Sequence, residues 1–149
     1  LYRLEGAPGI KTILTSGEYQ ATDRCLVGPS LGALFERLRA DRAFLSVNGV
    51  SIRFGISSAD ERLALVGSRF VEAAHQTVVL ADHTQIGSDS NHRIARIEDI
   101  HSINTDDGAV PAVRQSLRSS GVDVLVAEEY GETPKNGPPD ARARRSGGI

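Results

Sequence analysis

The stretch TVVLADHT, residues 77–84, is the most strand-like run in the chain. Residues 77–81 are mostly apolar and β-branched and are bounded by polar residues, which is typical of a central strand covered on both faces. Asp82, His83 and Thr84 follow at the point where this strand would end. Open α/β sheets bind ligands outside the carboxyl ends of their strands, so the stretch indicates a binding site as well as a strand.

Three more apolar runs end in small or acidic residues in the same way. They are residues 11–14 before Ser16, Gly17 and Glu18, residues 43–45 before Asn48 and Gly49, and residues 102–103 before Thr105, Asp106, Asp107 and Gly108. We predict a first strand at 10–15, a buried strand at 42–47 and a last strand at 122–127. If the strands are parallel, the ends of the four apolar runs line one edge of a sheet.

Helical patterns alternate with these strands. The first helical pattern begins at Pro29 and carries Leu31, Leu34, Phe35 and Leu38. The second is a helix at 59–74, with a capping box of Ser58 and Glu61 and an apolar stripe at Leu63, Val66 and Phe70. The third begins at Pro111 and ends at Gly121. Residues 50–57 and 83–92 are predicted as polar loops. Four isoleucines spaced by three, at 94, 97, 100 and 103, indicate short extended pieces. The alternation predicts an α/β fold with a mostly parallel sheet and flanking helices.

Composition limits the classes of function. The chain has 149 residues, 40% of them hydrophobic, and a net charge of -2, which suits one compact domain at 1–127. Nucleic acid binding by these residues is disfavoured, because no basic stripe is interleaved with aromatic residues. Without about 18 consecutive apolar residues we expect no membrane span, and the single cysteine, Cys25, fits a reducing, cytoplasmic location.

The two ends of the chain carry separate expectations. The sequence contains no methionine and starts at Leu1 within a polar and apolar pattern, so we expect a fragment whose domain is incomplete at its N-terminus. Residues 128–149 are rich in glycine, proline, arginine and acidic residues and nearly free of apolar ones. That composition predicts a disordered tail.

The polar strand ends admit more than one chemistry. Asp82, His83 and Thr84 form a ligand clamp, a metal site or simply a turn, and Asp106 is a Mg²⁺ ligand, a general base or a helix cap. Asn48 and Gly49 form a turn that would aim backbone N–H groups at an anion. No second metal ligand stands at close spacing, no Gly-x-Ser-x-Gly motif occurs, and the two lysines lie outside these loops, so we predict no metal, no cofactor and no catalytic residue.

Three segments in register resemble the C-terminal effector-sensing domain of the DeoR family of bacterial transcription regulators. They are residues 26–50, with LVGP, LRADRAFL and NGV, residues 78–87, with VVLADHT and IG, and residues 97–126, with IEDI, TDDG and GVDVLV. The resemblance implies a fold related to ribose-5-phosphate isomerase and CoA transferases, a homo-oligomer and a phosphorylated sugar as ligand. It also implies a DNA-binding winged helix-turn-helix and a Gly-Thr-Thr-like phosphate loop, both absent from these residues.

The chain departs from that family at two positions, because Gly67 and Gln85 stand where its members usually carry lysines. Both changes remove a cation that would neutralise a phosphate. The candidate ligand-binding residues are Gly17, Glu18, Asn48, Gly49, Ser57, Asp82, Thr84 and Gln85. We therefore expect the ligand-sensing and oligomerisation domain of a transcription repressor. The alternatives are a sugar-phosphate isomerase or deaminase using Asp82 or Asp106 as base, and a domain kept only for dimerisation.

Overall fold

The computed structural model describes residues 7–15, 17–22, 24–28 and 35–127. Its strands are β1 (Glu18–Gln20), β2 (Cys25–Val27), β3 (Ala40–Ser46), β4 (Gly49–Ser51), β5 (Gly55–Ser58), β6 (Ala74–Leu80), β7 (His92–Ala95), β8 (Ser102–Thr105) and β9 (Asp123–Val126). The helices are α1 (Glu61–Ala73), a 3-10 helix at Ile97–Asp99, and α2 (Pro111–Ser119). None of the helices in the described ranges is long and apolar enough to cross a membrane.

The main sheet is parallel and has the strand order β3-β6-β8-β9. Helix α1 connects β3 to β6, and α2 connects β8 to β9. A parallel pair needs a long crossover connection, and an amphipathic helix supplies it while covering the sheet. The predicted α/β class, the strand at 77–81, the strand at 122–127 and the helix from Pro111 are therefore confirmed.

A second, three-stranded sheet has the order β4-β5-β7 and is antiparallel. The polar loop predicted at 50–57 is wrong, because β4 and β5 form a hairpin there. Gly55 makes the hairpin possible with a φ of 88°, and a Cβ at this position would lie 2.1 Å from the carbonyl oxygen of Ala95. No side chain fits there, so the glycine marks close approach of β5 to β7 rather than a loose loop.

The strand predicted at 10–15 is not formed. Residues 10–15 adopt no regular structure, and Ile10, Ile13 and Leu14 are more than half exposed. The following residues make a small antiparallel sheet of β1 and β2 instead. An apolar run becomes a strand only when a neighbouring strand takes up its backbone hydrogen bonds, and no described strand lies beside this one.

The two faces of the main sheet are unequally covered. Residues in register across the strands alternate between a packed face, with Val79, Ile103 and Val124 at 0 to 3% exposed, and an open face. The open face carries Phe44 and Leu125, which are 62% and 51% exposed. The strand predicted at 42–47 forms as β3, but the predictions that it is buried and that 77–81 is covered on both faces are wrong.

The core lies between the packed face, the three-stranded sheet and the two helices. Its buried members are Val47, Val50, Ile56, Ala64, Val79, Ala81, Ile94, Ala95, Ile97, Ile100, Ile103, Leu117, Val122 and Val124. All four isoleucines spaced by three belong to it. They point inward together because a strand, a 3-10 turn and another strand follow one another, which confirms the short extended pieces predicted there.

Helix α1 begins at Glu61, two residues later than the start of the predicted helix at 59–74. Asp60 is the N-cap, and its Oδ1 accepts hydrogen bonds from the backbone N–H groups of Arg62 and Leu63 at 2.7 and 3.2 Å. The predicted capping box of Ser58 and Glu61 is therefore wrong, because Ser58 belongs to β5.

The buried side of α1 consists of small residues, Ala64, Gly67 and Ala73. Two residues of the predicted stripe, Val66 and Phe70, do not pack in the main core. They pack with Phe35 in a separate small cluster. The rings of Phe35 and Phe70 meet edge to face with centroids 4.7 Å apart. The helix pattern predicted from Pro29 falls largely on 29–34, and these residues, like the tail at 128–149, lie outside the described ranges.

Candidate functional site

The carboxyl ends of β6 and β8 are tied together by one pair of side chains. His83 follows β6 and Asp106 follows β8, and the imidazole Nδ1 lies 2.9 Å from Asp106 Oδ1. The backbone N–H of His83 also donates to Asp106 Oδ2 at 2.9 Å, and the N–H of Gly108 donates to Oδ1 at 2.8 Å. Gly108 leaves room for the ring, because a Cβ there would lie 2.7 Å from His83 Cγ. Two strand ends predicted to share an edge therefore do so, and they are in direct contact.

Asp82 organises the exposed loop that follows β6. Its Oδ1 accepts hydrogen bonds from the backbone N–H and the hydroxyl of Thr84, at 2.8 and 2.5 Å. The backbone N–H of Asp82 donates to Oε1 of Gln85 at 3.0 Å. These contacts form a turn in which the second carboxylate oxygen of Asp82 accepts no hydrogen bond from described residues. The turn and the ligand clamp are thus compatible readings of one arrangement.

Both carboxylates at this edge are held in their charged form. The hydroxyl of Thr84, followed by its backbone N–H, lowers the pKa of Asp82. The backbone N–H of His83 is the largest of the contacts that lower the pKa of Asp106. Hydrogen bonds to an ionised carboxylate favour that form, so the edge presents two negative charges at neutral pH.

Asn48, at the end of β3, fastens this strand end to the start of α1. Its Oδ1 accepts a hydrogen bond from the backbone N–H of Ala59 at 3.0 Å, and its own N–H donates to the carbonyl of Ser57 at 2.9 Å. Around it, the backbone N–H of Asp60 donates to the Ser58 hydroxyl. The N–H groups of Asn48, Ala59 and Asp60 are thus already engaged, with the Asp60 carboxylate beside them, and the role of this turn in anion binding stays a prediction.

Gly49 and Ser57 lie beneath the loop at 88–90. Ser57 is fully buried, donates to the carbonyl of Gly49 at 3.3 Å and accepts from the backbone N–H of Ser90 at 2.8 Å. A Cβ on Gly49 would lie 2.7 Å from the carbonyl oxygen of Ser88. In this conformation both residues are buried and hold the loop in place, and their contact with a ligand stays a prediction.

Gly17 and Glu18 are not brought to the edge by a strand of the main sheet. Glu18 is an exposed residue of β1 and pairs with Val27 of β2. Gln20 links this small sheet to the site region, because its Nε2 donates to Asp60 Oδ2 at 3.4 Å. The edge that the structure forms is made by the ends of β3, β6 and β8.

The two departures from the family pattern have structural counterparts. Gln85 accepts a hydrogen bond from the Asp82 backbone, which a lysine could not do. Gly67 is buried on α1, and a Cβ there would lie 2.9 Å from Cγ2 of Ile94. The glycine is thus part of a tight contact between α1 and β7.

A metal ion is one further possibility that the geometry raises. Asp82, His83 and Asp106 each offer one ligand atom, and these atoms lie within 4.8 Å of one another. Carboxylates and imidazole suit several divalent cations. However, both oxygens of Asp106 and one of Asp82 already accept the hydrogen bonds described above. Those bonds account for the cluster without an ion, so the absence of a metal stays a prediction.

The set of ligand-binding candidates omitted the pair that joins the strand ends. The sequence predicts Asp106 as a Mg²⁺ ligand, a base or a cap and His83 as part of a ligand clamp, a metal site or a turn, but their contact depends on β6 and β8 being neighbours. Strand order is a long-range property that the local pattern does not carry. The one local sign of this contact is Gly108, two residues after Asp106, because the lack of a side chain there leaves room for the imidazole ring of His83.

A parallel sheet with flanking helices and polar side chains at its carboxyl edge defines an α/β domain with the layout used for binding small molecules. The chain belongs to the DeoR family, since the family model described as the DeoR C terminal sensor domain matches residues 1–107. This family and its relatives are transcription regulators, not enzymes. The isomerase or deaminase alternative is therefore set aside.

Three relatives illustrate the similarity. The HTH-type transcriptional repressor GlcR of Bacillus subtilis (strain 168) is 31% identical over 126 residues, covering 85% of this chain and 48% of the relative. The putative aga operon transcriptional repressor of Escherichia coli O157:H7 is 25% identical over 123 residues, with 83% and 46% covered. The HTH-type transcriptional regulator GlpR of Haloferax volcanii is 30% identical over 112 residues, with 75% and 44% covered. The chain spans about half the length of the relatives it matches.

Proposed function

We propose that the chain is the ligand-sensing and oligomerisation domain of a cytoplasmic transcription repressor that responds to a sugar phosphate. DNA would be bound by a winged helix-turn-helix domain outside these 149 residues. Membership of the DeoR family and similarity to two transcriptional repressors, GlcR and the putative aga operon repressor, support a repressor. The observation that best supports a binding site is the contact of His83 with Asp106, which joins the polar loops after β6 and β8 at the carboxyl edge of the sheet.

The charge of this edge supports one orientation of the proposed ligand. Asp82 and Asp106 are ionised, and Asp82 keeps one oxygen free to accept a hydrogen bond. Sugar hydroxyl groups donate well to such an oxygen, whereas a phosphate would be repelled by it. In this proposal the hydroxylated end of the ligand contacts Asp82, Thr84 and Gln85, and the phosphate lies away from the two carboxylates.

The test uses the full-length protein with its DNA-binding domain. Binding to fluorescent promoter DNA is measured by anisotropy at one fixed salt concentration, with hexose and pentose phosphates and the matching free sugars added in turn. A sensor requires that one sugar phosphate change the DNA affinity, because a ligand shifts only states for which its affinity differs. Asp82→Asn should abolish the response and leave DNA binding without sugar unchanged.

Asp107→Asn is the matched control, because Asp107 is an exposed neighbouring carboxylate with no hydrogen bond to described residues. It should respond as the wild type does. A repressor whose DNA affinity ignores every sugar phosphate in the panel would contradict the proposal.

A domain kept only for dimerisation is the second candidate, and the absence of both expected lysines, at 67 and 85, favours it. Calorimetry with the same sugar phosphates, together with sedimentation of the protein, separates the two. An intact dimer that binds none of the sugars supports the dimerisation role, and measurable binding supports the sensor.

A further inference from the structure

The imidazole ring of His83 is held along one edge. Its Nδ1 lies 2.9 Å from Oδ1 of Asp106, and a Cβ on Gly108 would lie 2.7 Å from Cγ and 2.8 Å from Nδ1 of the ring. The side chain of His83 is nevertheless 52% exposed. The loop after β8 therefore fixes the inner edge of the ring, while Nε2, on its far edge, has no hydrogen-bond partner among the described residues.

Asp106 determines which nitrogen of the His83 ring carries hydrogen. The backbone N–H of His83, followed by that of Gly108, lowers the pKa of Asp106, so its carboxylate is ionised at neutral pH. An ionised carboxylate can only accept hydrogen bonds, so the Nδ1–H of His83 is the donor in this contact. In a neutral imidazole the other nitrogen then carries no hydrogen. Nε2 of His83 is therefore a free hydrogen-bond acceptor.

A second histidine, at the opposite end of β8, has the reverse arrangement. Nδ1 of His101 accepts a hydrogen bond from the backbone N–H of Thr77 at 3.2 Å, so the ring hydrogen of His101 is on Nε2. The Nε2–H form is also the one that unconstrained histidine side chains favour in water. The Nδ1–H form of His83 is thus imposed by Asp106, and the two histidines can be compared within one protein.

Asp82 supplies a second free acceptor close to this ring. One carboxylate oxygen of Asp82 and one ring nitrogen of His83 lie within 4.8 Å of each other. Oδ1 of Asp82 accepts both hydrogen bonds from Thr84, and the other oxygen accepts none from described residues. An ionised carboxylate and a bare ring nitrogen both need a donor. The pair therefore suits two hydroxyl groups of one ligand, whereas the oxygens of an ionised phosphate have no hydrogen to donate.

We infer that Asp82 and His83 together recognise two neighbouring hydroxyl groups of the sugar, and that Asp106 is the positioning residue that keeps Nε2 of His83 free of hydrogen. One hydroxyl donates to the open oxygen of Asp82, and the next donates to Nε2. The inference rests on the proposed sensor function and extends it by a ligand contact and a specificity. Sugars with both hydroxyls are selected over analogues that lack one of them.

The position of the ring hydrogen is measured without any ligand. The full-length protein is labelled with ¹⁵N only in its histidine side chains, and long-range ¹H–¹⁵N spectra are recorded at about pH 8, where ordinary histidines are neutral. We expect the Nδ1–H pattern for His83 and the Nε2–H pattern for His101, the internal control. In Asp106→Ala, His83 should change to the Nε2–H pattern and His101 should keep it. An Nε2–H pattern for His83 in the wild type would overturn the inference.

The ligand contact is tested by a cycle of variants and analogues. Calorimetry on the full-length protein uses glucose 6-phosphate, ribose 5-phosphate and the analogues of both that lack one hydroxyl each. His83→Asn keeps a donor for Asp106 but lacks Nε2, so it should weaken binding of the tighter sugar about tenfold. One deoxy analogue should lose about as much with the wild type and lose nothing more with His83→Asn, because the same hydrogen bond is missing in both cases.

His75→Asn is the matched control, because His75 is an exposed residue at the start of β6, away from the carboxyl edge. It should bind both sugars as the wild type does. Unchanged affinity in His83→Asn, or losses that add for every deoxy analogue, would overturn the inference while binding itself leaves the sensor function standing. Binding of neither sugar would also overturn it, and the DNA response to the other sugar phosphates would then decide the sensor function separately.

Discussion

The two faces of the main sheet carry similar apolar residues but stand in different surroundings. Val79, Ile103 and Val124 are buried by α1, α2 and the three-stranded sheet, while Phe44, Leu80 and Leu125, on the other face of the same sheet, are 43 to 62% exposed. Alternation along a strand therefore assigns residues to faces, but only the connections decide which face is covered. Here both helical crossovers run in the same direction along the sheet, and right-handed connections of that kind place their helices on one side.

The sharpest test of this difference compares truncations on the two faces. Ile103→Ala should lower the free energy of unfolding by about 3 kcal/mol, because it leaves a cavity in a fully buried contact. Leu125→Ala, on the open face, should lower it by less than about 1 kcal/mol. Urea unfolding of both variants measures the difference. Equal losses would mean that the open face is covered in solution.

A second test examines how tightly the packed side is closed. Gly67→Ala gains about 1 kcal/mol of helix propensity but forces Cγ2 of Ile94 to move, and overpacking costs about 1–3 kcal/mol. We expect a net loss of about 1 kcal/mol. In an Ile94→Ala background the same change should stabilise, which gives a coupling energy of about 2 kcal/mol in a urea-based double-mutant cycle. Additive effects would show that α1 and β7 are not in tight contact.

Acid should lower the stability of the fold by protonating Asp60, the N-cap residue of α1. The backbone N–H of Leu63 is the largest contact that lowers the pKa of Asp60 below its ordinary value of 3.8. A lowered pKa means that the ionised carboxylate stabilises the fold at neutral pH, and that this contribution is lost as the pH falls below about 3.8 towards the lowered value. The urea midpoint should therefore drop more between pH 7 and pH 3 in the wild type than in Asp60→Asn.

Asp107→Asn is the control for that acid titration and should behave as the wild type does. An Asp60→Asn variant with the same loss as the wild type would mean that the cap does not sense acid.

The smallest expected effect on stability concerns the carboxyl edge of the sheet, where the ends of β6 and β8 meet. Asp106→Ala removes the acceptor of the His83 and Gly108 N–H groups, so hydrogen exchange at these amides should become severalfold faster. Because the loop is largely exposed, the unfolding midpoint should hardly change. Unaltered exchange at His83 would mean that the two strand ends are not fastened by this carboxylate in solution.

The parts of the fold that were predictable from the sequence are those with local signals. The β-branched run at 77–81, the proline at the start of α2 and the alternation of elements led to the correct α/β class. The hairpin of β4 and β5 was missed, because its pairing depends on β7 and on a glycine whose role is visible only against Ala95. The run at 11–14 has a strand pattern but no described partner, so its prediction failed for a nonlocal reason.

The candidate site was predictable to a similar extent. Asp82 and Thr84 lie at an exposed strand end, where the pattern placed them. Ser57 and Gly49 were placed in a loop and are instead buried beneath another one. The sequence also does not show that the N–H groups around Asn48 are already bound. Whether a donor is free depends on side chains that fold back onto it, such as Asp60 and Ser58.

The outer edge of β3 has one more consequence. Within the described ranges β3 pairs only with β6, so its other side offers a row of backbone donors and acceptors. A parallel strand added at this edge of β3 would end next to Asn48. Strands added beyond it would extend the sheet in the direction opposite to the order β3-β6-β8-β9. Such a reversal creates a crevice between the two groups of strands at their carboxyl ends. Asn48 would then stand at the centre of a wider sheet rather than at its margin.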